Sequence, residues 1–213
     1  MTTTKVNLQE IKVVAFDCDG VMFDTRKANR AYYDRMLDHF HLPAMTDEQF
    51  AYVQQHTVYR SIEHIFQDET LRAQALKQRE VLSYFGFIKD MEIEPGLILL
   101  LKKIRPFYHT AIATNRSNTM NAVLEEHQLV SFFDLVVTAL DVENAKPAPD
   151  QLIKLGSYFS VEHSQIFYIG DSELDERAAN QADVVFAAYR NKGLKADFHI
   201  DSLSEVESIL NLS

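Results

Sequence analysis

Hydrophobic and polar positions follow two different rhythms along this chain. Val13–Phe16 is a short run of β-branched and aromatic residues, the pattern of a strand buried on both faces. From Arg26 to about Met91 glycine is nearly absent and apolar residues recur at helical spacing. Ala28, Tyr32, Met36 and Phe40 form one stripe. Thr46 with Gln49 three positions on reads as a capping box that opens a second helix through Phe50 and Val53. Ile62, Ile65 and Phe66 mark a third helix, and Leu71, Ala75, Leu82 and Phe85 a fourth. The stretch predicts an all-helical insert of roughly 65 residues, near the low end of domain size.

Glu94–Pro95–Gly96 is strong turn punctuation, and beyond it strands and helices alternate. Helices are expected over Leu97–Ile104, Ser117–His127, Pro149–Phe159 and Glu173–Gln181. Strands are expected over Thr110–Ala113, Leu135–Thr138, Ile166–Ile169 and Val184–Ala187, with a last short one at Phe198–Ile200. Ser204 with Glu207 reads as the cap of a final helix. The fold class is therefore α/β: a parallel sheet covered on both faces, built from residues 1–24 and 92–213, with the helical segment 25–91 inserted after the first strand.

Composition narrows the partners. The chain has 213 residues, 46% of them hydrophobic, which is ordinary for a globular protein. A net charge of −10 and a pI near 5.2 argue against duplex nucleic acid or an anionic membrane as the main partner. An anionic substrate would have to be drawn by a few local cations or a metal. The single cysteine, Cys18, leaves no internal disulfide and fits a reducing cytoplasm, the expected location. No window is long and apolar enough to span a membrane. Met1–Glu10 is polar and lacks an apolar signal core, so a mature soluble protein with a frayed beginning is expected. The eight histidines show no metal-ligand spacing.

The candidate chemistry lies at strand ends. Asp17 and Asp19 flank Cys18 just past the first apolar run, and Gly20 follows. Residues i and i+2 of a strand face the same way, so this spacing aims two carboxylates into one crevice. Two anions so close repel, and a cation beside them resolves the conflict. Asp and Gly are also ordinary turn residues, so the cluster alone does not decide. Two more strands end in polar groups, Thr114–Asn115 and Asp171, and in a parallel sheet all three ends lie on the edge where ligands bind.

These residues, taken in order, carry a resemblance. Asp17-Cys-Asp19-Gly20, Thr114-Asn115, Lys146-Pro147 and Gly170-Asp171-Ser-Glu-Leu-Asp175 resemble the four ordered motifs of the haloacid dehalogenase-like (HAD) superfamily, and they span nearly the whole chain. The resemblance implies a Rossmann-like core and a helical cap that closes over small substrates. It also implies a Mg²⁺-dependent hydrolase acting on a small phosphorylated metabolite, such as a sugar phosphate or phosphoglycolate, through an aspartyl-phosphate. It makes Asp17 the nucleophile and Asp19 the acid and base. Thr114, Asn115 and Lys146 would bind the phosphoryl group. Asp17, Asp19 (through its backbone carbonyl), Asp171 and Asp175 would surround the metal. Asp175 fits equally an acid at a helix start or a partner of Lys146.

An aspartate at position 19 favours phosphoryl chemistry over dehalogenation, since halide leaves without a proton. A phosphomutase of the β-phosphoglucomutase kind remains the alternative, and a phospho-accepting signalling module a remote one. Arg60 is the candidate cap contact to substrate by loose similarity, against the plain reading of a surface arginine; Arg26, Lys27 and Arg30 share that ambiguity. Cys18 reads as a small filler between two carboxylates that raise its pKa. Asp183 stands where glycine commonly ends the helix of the fourth motif.

Overall fold

The computed structural model describes residues 7–54 and 58–212. It divides into two compact units, one formed by the chain up to Asp24 and from Ile93 onwards, the other by Thr25–Glu92. In chain order the first strands are β1 (Val13–Phe16) and β2 (Phe23–Asp24). Helices α1 (Arg26–His39), α2 (Asp47–Val53), α3 (Val58–Ile65) and α4 (Glu69–Val81) follow, then β3 (Glu92–Ile93). The rest is α5 (Leu97–Ile104), β4 (His109–Ala113), α6 (Met120–Glu126), β5 (Leu135–Val137), α7 (Asp150–Phe159), β6 (Ile166–Gly170), α8 (Glu173–Ala182), β7 (Val185–Tyr189), β8 (Phe198–Ile200) and α9 (Glu205–Ile209).

The core unit is a six-stranded parallel sheet in the order β5-β4-β1-β6-β7-β8. Its central strands β1, β6 and β7 are buried at every position, as strands covered on both faces must be. That is the expected α/β class. One core layer packs Ala15, Ala113 and Tyr168 of the sheet against Leu152 and Leu155 of α7 and Ala178 of α8. Register places the site. Phe16 of β1 stands opposite Ile112 of β4 and Ile169 of β6. Asp17 therefore leaves the sheet level with Ala113 and Gly170, and Thr114 and Asp171 follow one residue further along the same edge. The Asp17 N–H still donates to the Ile169 carbonyl at 2.9 Å, which fixes the direction of departure.

The Thr25–Glu92 unit is helical, apart from the strand residue Glu92. Tyr32, Met36 and Leu37 of α1 pack with Ile62 and Ile65 of α3 and Ala75 of α4. The Thr46–Gln49 capping box forms in full: the Gln49 N–H donates to the Thr46 hydroxyl, and the Thr46 N–H donates to the Gln49 side chain.

Several boundaries differ from expectation. The fourth helix stops at Val81, where Leu82 turns to ψ 86°. Ser83 then starts a separate 3₁₀ stretch, Tyr84–Asp90, by accepting from the Phe85 N–H, so Phe85 lies outside α4. The 75–82–85 spacing had run across this break. Helix α6 begins at Met120, not Ser117, because the segment before it is spent on contacts to the site described below. Ser204 takes a helical conformation and makes no side-chain cap; the Glu205 carboxylate instead accepts from the N–H groups of Asp201 and Ser202. Of the polar start Met1–Glu10, residues 1–6 lie outside the described residues, and Leu8–Glu10 form a 3₁₀ turn capped by Asn7. Asp183 ends α8 in the left-handed conformation, φ 57°; aspartate visits that region more readily than most residues.

Candidate active site

Asp17, at the end of β1, is 8% exposed. Its Oδ1 accepts from Lys146 Nζ at 2.8 Å. Lys146 arrives from the loop before α7 and is followed by Pro147 across a cis peptide bond. Three other oxygens surround its ammonium: Asp175 Oδ1 at 2.6 Å, the Tyr168 hydroxyl at 2.9 Å and the Ala113 carbonyl at 3.0 Å. Its backbone is held too. Gln151, fully buried in the first turn of α7, accepts from the Lys146 N–H at 3.1 Å and donates to the Thr114 carbonyl at 2.6 Å. The Asn115 side-chain amide donates to the Lys146 carbonyl at 2.8 Å. So Thr114, Asn115 and Lys146, 32 positions apart in sequence at the extremes, are one hydrogen-bonded group.

Asp171 follows β6 at the same edge. Gly20 explains how the first turn comes close to it. Its φ is +85°, and a Cβ built there would lie 2.1 Å from Asp171 Oδ2. Only glycine satisfies both the left-handed backbone and the approach. Asp175 sits at the start of α8, where Ser172 and Asp175 form a reciprocal cap. Its Oδ1 accepts from Lys146 and from the Tyr168 hydroxyl, and its Oδ2 from the Ser172 N–H and hydroxyl.

Carboxylate oxygens of Asp17, Asp171 and Asp175 lie within 4.8 Å of one another. Three acids face one ammonium, and their protonation reflects the shortfall. Burial, with the neighbouring carboxylates, pushes Asp17 up to about 6 against the opposing pull of Lys146. Burial, then the charges of Asp17 and Asp175, pushes Asp171 up to about 8. Asp175 goes the other way: burial opposes its charge, but Lys146 and the Ser172 and Tyr168 hydrogen bonds hold it low. Burial works against the Lys146 charge as well, yet Asp17 and Asp175 hold its pKa above the ordinary value. A divalent cation with oxygen preference fits this excess of negative charge. Asp17 and Asp171 are the acids in a position to take it, since both oxygens of Asp175 already accept two donors each.

Asp19 stands apart from that cluster. Its side chain is 40% exposed, and Arg116 grips it, Nε donating to Oδ2 at 3.2 Å and Nη2 to Oδ1. Thr114, 1% exposed, accepts the Arg116 backbone N–H on its hydroxyl oxygen at 3.1 Å. Cys18 is buried, and burial before all else raises its thiol pKa well above the usual range. Arg60 belongs to α3 of the helical unit and is exposed there. Arg30, in the same unit, pairs with Asp47 at 2.7 Å and lies over the Phe50 ring.

Sequence reasoning missed Arg116, Gln151, Tyr168 and Ser172. Ser172 had a signal, a hydroxyl residue three positions before an acid at a helix start. Gln151 and Tyr168 are single residues beside or within apolar runs, and Arg116 lies inside the polar loop Thr114–Thr119, with no local pattern to mark them.

An acidic pair after the first strand of a parallel sheet, a lysine between two of the acids and a third acid after a later strand define a phosphotransfer-type hydrolase site on a Rossmann-like core. The haloacid dehalogenase-like hydrolase family matches residues 14–189. The chain belongs to that family and is one of its phosphohydrolases. It is 24% identical over 204 residues to phosphoglycolate phosphatase of Escherichia coli K12, covering 82% of this chain and 79% of that one. It is also 24% identical over 214 residues to the pyrophosphatase PpaX of Anoxybacillus flavithermus, covering 95% and 98%. A subfamily IA HAD hydrolase of Geobacter sulfurreducens superposes with a TM-score of 0.87 at 31% identity, covering 94% and 97%. A β-phosphoglucomutase of Clostridium difficile, 18% identical with a TM-score of 0.72 and coverage of 94% and 97%, shares the fold.

Proposed function

We propose that the chain is a Mg²⁺-dependent phosphatase that hydrolyses a small phosphomonoester through a phosphorylated Asp17. The observation that carries this reading is the pairing of Asp17 Oδ1 with Lys146 Nζ at 2.8 Å. One carboxylate oxygen is fixed by the ammonium, and among the described residues no hydrogen bond goes to the other, which is left to attack phosphorus. In the first step an Asp17 oxygen forms a bond to phosphorus while the ester P–O bond breaks, and Asp19 gives its proton to the departing alcohol oxygen. In the second, Asp19 takes a proton from water as the water oxygen attacks phosphorus and the bond to Asp17 breaks. Inorganic phosphate leaves and the carboxylate is restored.

Phosphoryl transfer asks chiefly for positioning and charge neutralisation. The Thr114 hydroxyl, whose oxygen already accepts from the Arg116 N–H, would donate its own proton to a phosphoryl oxygen. Lys146 supplies fixed positive charge beside the nucleophile. Mg²⁺, held by Asp17 and Asp171 with the Asp19 carbonyl, would neutralise phosphoryl oxygens and add to that charge. Asp175 and Tyr168 hold Lys146 in place. Arg60 remains a proposed substrate contact of the helical unit.

The test is phosphate release from a panel of phosphorylated metabolites with and without Mg²⁺. The panel includes phosphoglycolate and pyrophosphate, which the names of the relatives point to. Turnover that disappears with EDTA and returns with Mg²⁺ is expected. Activity indifferent to chelation would refute the metal assignment, and dependence on a sugar bisphosphate primer would make the chain a mutase.

A further inference from the structure

We propose that Arg116 is a positioning residue for Asp19: it sets the plane of the acid's carboxyl group at the mouth of the site. The inference rests on the phosphatase reading above and extends it to a residue outside the four motifs. A guanidinium that donates through Nε and Nη2 to the two oxygens of one carboxylate fixes its rotation as well as its distance. Arg116 is itself held. Its side chain is 8% exposed, its Nη1 donates to the buried Thr119 hydroxyl at 3.1 Å, and its backbone N–H donates to Thr114 Oγ1. Asp19, by contrast, is 40% exposed, is absent from the acid cluster around Lys146 and lacks that cluster's ammonium. Arg116 is the one cation that the described contacts give it.

The arrangement suits an acid that must meet a leaving group arriving from solvent. An exposed aspartate samples several rotamers, and proton transfer depends on reach and direction. The fork leaves room for chemistry, because a protonated carboxyl oxygen keeps acceptor capacity for an arginine N–H while carrying its proton elsewhere. It also explains why α6 starts late. Residues 114–119 are spent on Lys146, Asp19 and one another before the chain can close a helical turn.

The experiment compares kcat/KM for two esters, phenyl phosphate and 4-nitrophenyl phosphate, in the wild-type chain and in Asp19→Asn, Arg116→Ala and Arg116→Lys. A phenolate leaving group needs a proton far more than 4-nitrophenolate does. Asp19→Asn therefore should lose about 10²-fold or more on phenyl phosphate and much less on the nitro ester. Arg116→Ala should show the same selectivity with a smaller loss, about tenfold on phenyl phosphate, and Arg116→Lys should recover part of it. An equal loss on both esters, or none, would overturn the assignment, since a merely structural ion pair does not distinguish leaving groups. Should Arg116→Ala unfold, by thermal denaturation, the same comparison on Arg116→Lys and Arg116→Gln decides. A wild-type chain that releases phosphate from neither ester nor any phosphorylated metabolite would instead sink the phosphatase reading itself. An Asp19→Asn variant without selectivity would remove Asp19 as its acid and this inference with it.

Discussion

Lys146 has four oxygen neighbours around an ammonium with three protons. The Tyr168 hydroxyl resolves the surplus, since it donates to Asp175 Oδ1 at 2.6 Å and can accept from the lysine. The result is a buried lattice in which each charge depends on the next. Lys146→Ala leaves Asp17 and Asp175 buried without their counter-ion. It should cost about 3–5 kcal/mol of stability, read by denaturant unfolding, as well as turnover. Asp17→Asn keeps the shape of the side chain and one oxygen that can accept from Lys146, but replaces the charged second oxygen with an amide N–H₂ that cannot attack phosphorus. It should lower turnover on the order of 10⁴-fold or more while the melting temperature changes little, and substantial residual turnover would remove Asp17 as nucleophile. Gly20→Ala meets Asp171 and a strained backbone together, so we expect lower stability and weaker Mg²⁺ binding in a calorimetric titration.

At the scale of elements, the helix ends carry the most local information. Asp183 holds a left-handed φ of 57° at the end of α8, and Asp183→Gly removes the Cβ conflict. It should raise stability by a few tenths to about 1 kcal/mol, measured by thermal or chemical unfolding. The same distinction explains what the sequence made legible. The buried strands were plain because β1, β6 and β7 are unbroken apolar runs, and the Thr46 cap because its partner lies three residues away. The fourth helix was drawn too long because the Leu82 and Phe85 side chains continue the apolar spacing while the backbone has already turned at Leu82. The strand-end acids could be read because a parallel sheet aligns its carboxyl ends. Gln151 and Arg116 act between segments far apart in sequence, and no local period records such partners.

At the scale of the whole molecule, the folded core carries protons on Asp17 and Asp171 that an unfolded chain would not. The ordinary value for Asp17 and Asp171 is 3.8, raised in the fold to about 6 and about 8. Between those limits the folded state binds more protons than the unfolded one. These two groups therefore contribute a stability that falls as pH rises from about 4 to about 8. A bound cation relieves that loss. The rise in melting temperature on adding Mg²⁺ should accordingly be small near pH 5 and larger near pH 8, and a shift independent of pH would count against these two acids as its ligands.

The sheet also has two borders, and both are stubs: β5 and β8 contain three residues each. Unpaired backbone at a sheet margin is a template on which a foreign strand can add. Here a visitor would gain only a handful of rungs on either flank, so an open sheet with no barrel closure has little tendency to recruit other chains into fibrils.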